Sequence, residues 1–100
     1  MSLEKCTWKA TLKPGKKAEY IRRHDEIWPE MTEVLTRAGI RNYTIWCCGD
    51  ELFGYYECED LEKRDTVKAV NEAQKRWAVS MQGIVDFSQP HPFRQVFYLE

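Results

Sequence analysis

The hydrophobic period of this chain switches back and forth between that of a strand and that of a helix, and the order of the switches leaves few folds open. Residues 4–13 alternate, with Cys6, Trp8, Ala10 and Leu12 on one side and Thr7, Lys9 and Thr11 on the other. That is the period of a half-buried strand, and Pro14-Gly15 ends it. From Lys16 to about Ala38 the apolar residues Tyr20, Ile21, Ile27, Trp28, Met31, Val34 and Leu35 recur at helical spacing, and Gly39 closes the helix. Pro29 removes a backbone donor and crowds the carbonyl of Asp25, so the helix is predicted to kink or break in two near Trp28. Residues 40–48 and 51–58 read as two strands around the two-residue turn Gly49-Asp50. They form an antiparallel hairpin that sets Cys47 opposite Leu52. Helical spacing returns from Glu59 to about Met81, in two pieces if Asn71 caps a second segment bearing Ala73, Trp77, Val79 and Met81. A loop with Pro90-His91-Pro92 follows, and residues 94–99 read as the last strand.

The resulting order, β-α-β-β-α-β, is the split-βαβ, ferredoxin-like arrangement of an α+β protein, an antiparallel sheet with helices on one face. At 100 residues the chain holds one such domain, residues 1–100, around one core. Trp8, Trp46, Tyr55, Tyr56, Phe97 and Tyr98 put large apolar groups on both faces of the sheet. A second subunit over the open face is therefore expected, making a homodimer that closes into a dimeric α/β barrel.

Composition excludes several classes. A net charge of −1 supplies no basic field to attract nucleic acid or an anionic membrane. Met1-Ser2-Leu3-Glu4-Lys5 has no apolar stretch of the signal-peptide kind, and no window approaches the ~20 apolar residues of a membrane span. A cytoplasmic protein is the expectation. Cys6, Cys47, Cys48 and Cys58 show no C-x-x-C spacing and are read as reduced. With only His24 and His91 available and no spaced carboxylates around them, no metal site is expected.

His24 lies four residues after Tyr20 and four before Trp28, so the three share one helical stripe, continued by Met31 and Leu35. An imidazole on an inward stripe is either a satisfied core group or a working one. The proline nearby frees backbone carbonyls, and His24 titrates near neutrality, which makes it the best proton-transfer candidate. Tyr20, Tyr43, Trp28 and Trp77 read as core or interface groups that can also line a pocket. Arg22, Arg23, Asp25, Glu26, Glu30 and Glu33 fill a solvated helix face. His91, between prolines, belongs to an exposed loop. There is no phosphate-binding glycine loop and no nucleophile with a neighbouring base. A small pocket of histidine, tyrosines and indoles suits a neutral, many-hydroxyl ligand, with indole faces against sugar C–H groups.

At these residues the chain resembles the L-rhamnose mutarotase family. The matching stretches are Glu19-Tyr20 with Arg22-Arg23-His24, Ile27-Trp28-Pro29-Glu30, Gly39 with Asn42-Tyr43, Leu52-Phe53 with Glu57, Trp77 with Met81, and Gln95-Val96-Phe97-Tyr98-Leu99. The resemblance implies a dimeric ferredoxin-like enzyme that interconverts the α and β anomers of a deoxyhexose without a cofactor. It places the proton donor on His24 and sugar contacts on Tyr20, Tyr43 and Trp77, with Trp28 as a further lining residue. A tyrosine hydroxyl, a backbone carbonyl or water fills the role of base. The family often has two adjacent tryptophans in the late helix, where this chain has Trp77-Ala78. L-Rhamnose is the first expectation and a related aldose the second. The rival readings on the same scaffold are a cofactor-free dimeric monooxygenase and a non-catalytic sugar-binding dimer.

Overall fold

A computed structural model describes residues 3–87 and 93–100. Strand β1 (Glu4–Leu12) leads to helices α1 (Lys17–Asp25) and α2 (Pro29–Arg37), then to the hairpin β2 (Ile40–Cys48) and β3 (Glu51–Cys58). Helices α3 (Leu61–Val70) and α4 (Glu72–Met81) and a two-residue strand, β4 (Val85–Asp86), follow. The sheet is antiparallel with order β2-β3-β1-β4, the ferredoxin-like order.

Both predicted helix interruptions are present, for the expected reasons. Pro29 occupies the first turn of α2, where its missing N–H costs nothing, and it holds Trp28 in an extended conformation with ψ 136°. Asn71 ends α3 and caps α4, its side chain accepting from the Gln74 amide at 2.9 Å. Gly39 stops α2 at a positive φ of 83°, a conformation that a β-carbon would strain. Cys47 pairs with Leu52, as the turn requires, and all four cysteines are free.

The expected strand over residues 94–99 is not formed. Residues 93–100 make no ladder, and the edge of β1 is paired instead by Val85–Asp86 against Thr11 and Leu12. Val96, Phe97, Tyr98 and Leu99 are all apolar in succession, so half of them must face away from whichever surface the others meet. On this chain they stay 82%, 76%, 60% and 80% exposed. Phe93 rests edge-on against Phe53, and Lys5 lies over the Tyr98 ring. The loop at Pro90-His91-Pro92 lies outside the described residues.

One irregularity in β2 decides what reaches the helix side. Arg41 pairs with Glu57 and Thr44 with Tyr55, so Asn42 and Tyr43 together face Tyr56 alone. This is a β-bulge, with Asn42 at a φ of 51° and its amide bonded to the Glu57 carboxylate. Strict alternation from buried Ile40 would send Tyr43 outward. The extra residue reverses the parity and brings Tyr43 and Ile45 to the helix side, together with Tyr56, Gly54 and Leu52 of β3.

Candidate active site

A cavity of about 760 Å³ opens between the helices and the sheet. Its wall takes Trp8, Ile45 and Tyr56 from the sheet, Tyr20, His24 and Met31 from α1 and α2, and Trp77 and Ala78 from α4. Side chains of all three apolar clusters of the domain contribute, so the cavity sits where the core is interrupted.

His24 is in the last turn of α1, with its Nδ1 3.0 Å from the carbonyl oxygen of Tyr20. A carbonyl only accepts, so Nδ1 carries the proton and donates. Nε2 is then the nitrogen left for a ligand, with a free lone pair when the ring is neutral. Burial lowers the pKa of His24 below its ordinary value, against a smaller opposing effect of that hydrogen bond. At neutral pH the ring is therefore an acceptor. Its face lies 4.2 Å from the Tyr20 ring, and it meets Trp77 edge-on at 5.4 Å.

Three hydrogen bonds hold this wall. Arg23 donates from Nη1 to the Ser80 carbonyl at 2.7 Å and from Nε to Glu19 at 2.7 Å, while the Ser80 hydroxyl donates to the Trp77 carbonyl at 2.8 Å. The end of α1 is thereby tied to the turn of α4 that bears Trp77. Arg22 and Arg23 hold the Glu19 carboxyl down at about 2. Across the cavity, the Trp8 indole N–H donates to the Tyr43 hydroxyl at 2.8 Å. That leaves the Tyr43 O–H proton to be donated elsewhere. Burial pushes the Tyr43 phenol up to about 12 and raises Tyr20 further still, so both remain neutral hydroxyl donors.

Of the residues singled out from sequence, Tyr20, His24, Tyr43 and Trp77 line this one cavity. Trp28 does not: it packs edge-on behind Trp77 at 5.2 Å and lines a smaller cleft with Arg22, Arg23 and Ser80. Trp8, Tyr56 and Gln74 also line the cavity and were not singled out. For Trp8 the signal is its cross-strand partner Gly54, visible only once β1 and β3 are in register. No group of three or more His, Cys, Asp or Glu side chains placed to hold a metal is found among the described residues.

The family model described as L-rhamnose mutarotase matches residues 5–99. The chain belongs to the L-rhamnose mutarotase family. The L-rhamnose mutarotase of Listeria monocytogenes is 46% identical over 68 residues, covering 66% of this chain and 65% of that protein. This match spans just under two thirds of the relative's length. The L-rhamnose mutarotase of Lachnoclostridium phytofermentans is 36% identical over 100 residues, covering 93% of this chain and 95% of that one. Among solved structures, an L-rhamnose mutarotase from Formosa agariphila superposes with a TM-score of 0.79 at 30% identity, covering 97% of this chain and 99% of its own. Tyr20 and His24, which lie in one of the stretches that carry the resemblance, line one wall of the cavity. No helix among the described residues is long and apolar enough to cross a membrane.

Proposed function

We propose that this protein is an isomerase that interconverts the α and β anomers of L-rhamnose, with His24 carrying the proton. The observation behind this assignment is the fixed imidazole: Nδ1 donates to the Tyr20 carbonyl, and Nε2 is left for the cavity between Tyr20 and Trp77.

Mutarotation needs a proton taken from one oxygen of the anomeric carbon and delivered to the other. Neutral His24 takes the anomeric hydroxyl proton at Nε2 as the C1–O5 bond breaks and the C1 carbonyl forms. The imidazolium so produced protonates O5. Rotation about C1–C2 presents the other carbonyl face, and closure runs the same steps in reverse, ending with the proton on O1. Because O1 and O5 share one carbon, a single nitrogen serves as base and then as acid. The proton-donor role implied by the resemblance is the second half of this exchange. The tyrosines do not serve as the base, since burial keeps their protons on; their O–H groups and the Trp77 indole hold the sugar. Positioned acid–base catalysis contributes about 10²–10⁴-fold, or about 3–5 kcal/mol, enough for a reaction that proceeds slowly unaided.

The acting species is a homodimer in the cytoplasm. Trp46, 65% exposed on the sheet face away from the helices, and the apolar run Val96–Leu99 support a second subunit over that face. The free, exposed Cys47 and Cys48 suit a reducing compartment.

The test is saturation transfer by NMR between the α and β anomeric protons of L-rhamnose, with L-fucose and D-glucose alongside. Acceleration is expected with the wild-type protein and lost by about 10²-fold or more in His24→Ala with the fold retained. Full turnover in that variant would remove His24 from the mechanism. Sugar binding without acceleration would instead favour a non-catalytic binding protein, and oxygen consumption with an aromatic substrate a monooxygenase.

A further inference from the structure

Helix α4 turns Gln74, Trp77, Ala78 and Met81 toward the cavity, the stripe expected of positions i, i+3, i+4 and i+7. Gln74 is the third residue of this helix after its cap, and its backbone amide donates to the Asn71 side chain. A glutamine there commonly folds back onto the backbone N–H of the cap residue. Here it does not: the side-chain oxygen of Gln74 is buried and has no hydrogen-bond partner. A buried acceptor left open in a wall that also carries Met31, Leu35, Lys68 and Trp77 is rare in proteins, and a ligand hydroxyl is the group that completes it. Ala78, one turn further along the same stripe, ends at its β-carbon and leaves the approach clear.

We propose that Gln74 is a substrate-contacting, specificity-determining residue, whose side-chain oxygen accepts a hydrogen bond from a sugar hydroxyl other than the anomeric one. This rests on the mutarotase reading of the same cavity. The anomeric oxygens belong to His24, whose ring stands perpendicular to that of Trp77 at 5.4 Å. Gln74 lies one turn before Trp77, about 4.5 Å along the axis at about 1.5 Å per residue, a separation on the order of a pyranose ring. A pocket with a dedicated acceptor discriminates against sugars that lack the matching hydroxyl, because the oxygen then returns to its unpaired state.

The experiment uses Gln74→Met, which keeps the length of the side chain and removes the acceptor. Binding is read by quenching of indole fluorescence and turnover by anomer exchange, for L-rhamnose and its 2-, 3- and 4-deoxy analogues. The substitution is expected to weaken L-rhamnose binding about tenfold and to leave kcat within about twofold. For one analogue, the one lacking the contacted hydroxyl, wild type and variant are expected to bind alike. Gln74→Leu serves as a second replacement with the same expected signature, so a folding defect in one variant does not decide the matter. Unchanged L-rhamnose affinity, or losses that multiply for all three analogues, would overturn the proposal while wild-type exchange upheld the mutarotase reading. A wild-type protein that binds L-rhamnose through Gln74 without accelerating exchange would overturn that reading and uphold the contact.

Discussion

Gly54 sits at the centre of β3, paired with Trp8 on one side and Ile45 on the other. A β-carbon there would overlap the five-membered part of the Trp8 indole, a rigid ring and not a flexible chain end. The indole has little room to yield, since its N–H is bonded to Tyr43 at 2.8 Å and its ring meets Phe87 edge-on at 5.3 Å. Overpacking of this kind costs about 1–3 kcal/mol, and losing the hydrogen bond adds about 0.5–1.5 kcal/mol. Gly54 is not at positive φ, so alanine also restricts the unfolded chain and returns about 0.4–1 kcal/mol. Gly54→Ala is therefore expected to destabilise by about 0.5–4 kcal/mol, and the middle of that range, about 2 kcal/mol, lowers Tm by about 8–16 °C at about 4–8 °C per kcal/mol for a domain of this size. It is also expected to raise KM, because the displaced indole no longer orients the Tyr43 hydroxyl. Thermal unfolding in two backgrounds isolates the cause. With Trp8 already replaced by alanine the clash is absent, and the same glycine substitution is expected to be neutral or stabilising by up to about 1 kcal/mol. Equal destabilisation in both backgrounds would refute the reasoning, since the damage would then not run through Trp8.

Because burial lowers the pKa of His24 and the proposed exchange starts from its neutral form, kcat/KM is expected to be level above pH 6.5 and to fall on the acid side, with a midpoint below 6.5. Stability follows the same sign: the unfolded chain takes up the proton first as pH drops, so folding weakens below pH 6.5. Activity that instead fell as pH rose through the His24 midpoint would show that the reacting form is the imidazolium. Asn71→Ala removes the cap of α4 and is expected to cost about 0.5–2 kcal/mol, read as a lower Tm. An unchanged Tm would mean that packing of Ala73 and Met81 alone holds the start of α4.

The elements from β1 to α4 were legible because each boundary has a local cause: Pro14-Gly15 after β1, Pro29 at the helix break, Gly49-Asp50 in the hairpin and Asn71 at the cap. The two misplacements have non-local causes. Residues 94–99 carry strand-like composition, but a ladder needs a partner edge, and the described chain pairs only Val85–Asp86 at that side of β1. Trp28 shares a helical stripe with His24 only if the helix is continuous. The break at Pro29 swings it behind Trp77, on the far side of the wall it was expected to line. Tyr43 was placed by the resemblance, and the feature that delivers it to the cavity, the bulge at Asn42, depends on strand register. Gln74 left no mark in the sequence at all, since an unpaired acceptor is defined by what fails to surround it.

The same burial sets the protonation state of every candidate acid and base, and this limits how the pocket can work. It pushes the Tyr43 phenol up to about 12 and draws His24 and Lys68 down, and the wall that carries these groups also includes Lys13 and Asp86. A mechanism with separate acid and base would need a second titrating group beside His24. The tyrosines cannot supply it, because their shifts run the wrong way for a base near neutrality. One nitrogen acting in turn on two oxygens of the same carbon needs no such partner. What it does need is a ring that cannot rotate between the two transfers. The hydrogen bond from Nδ1 to the Tyr20 carbonyl and the perpendicular indole of Trp77 impose that constraint, with the Arg23–Ser80 tie fixing the distance between the helices that carry them.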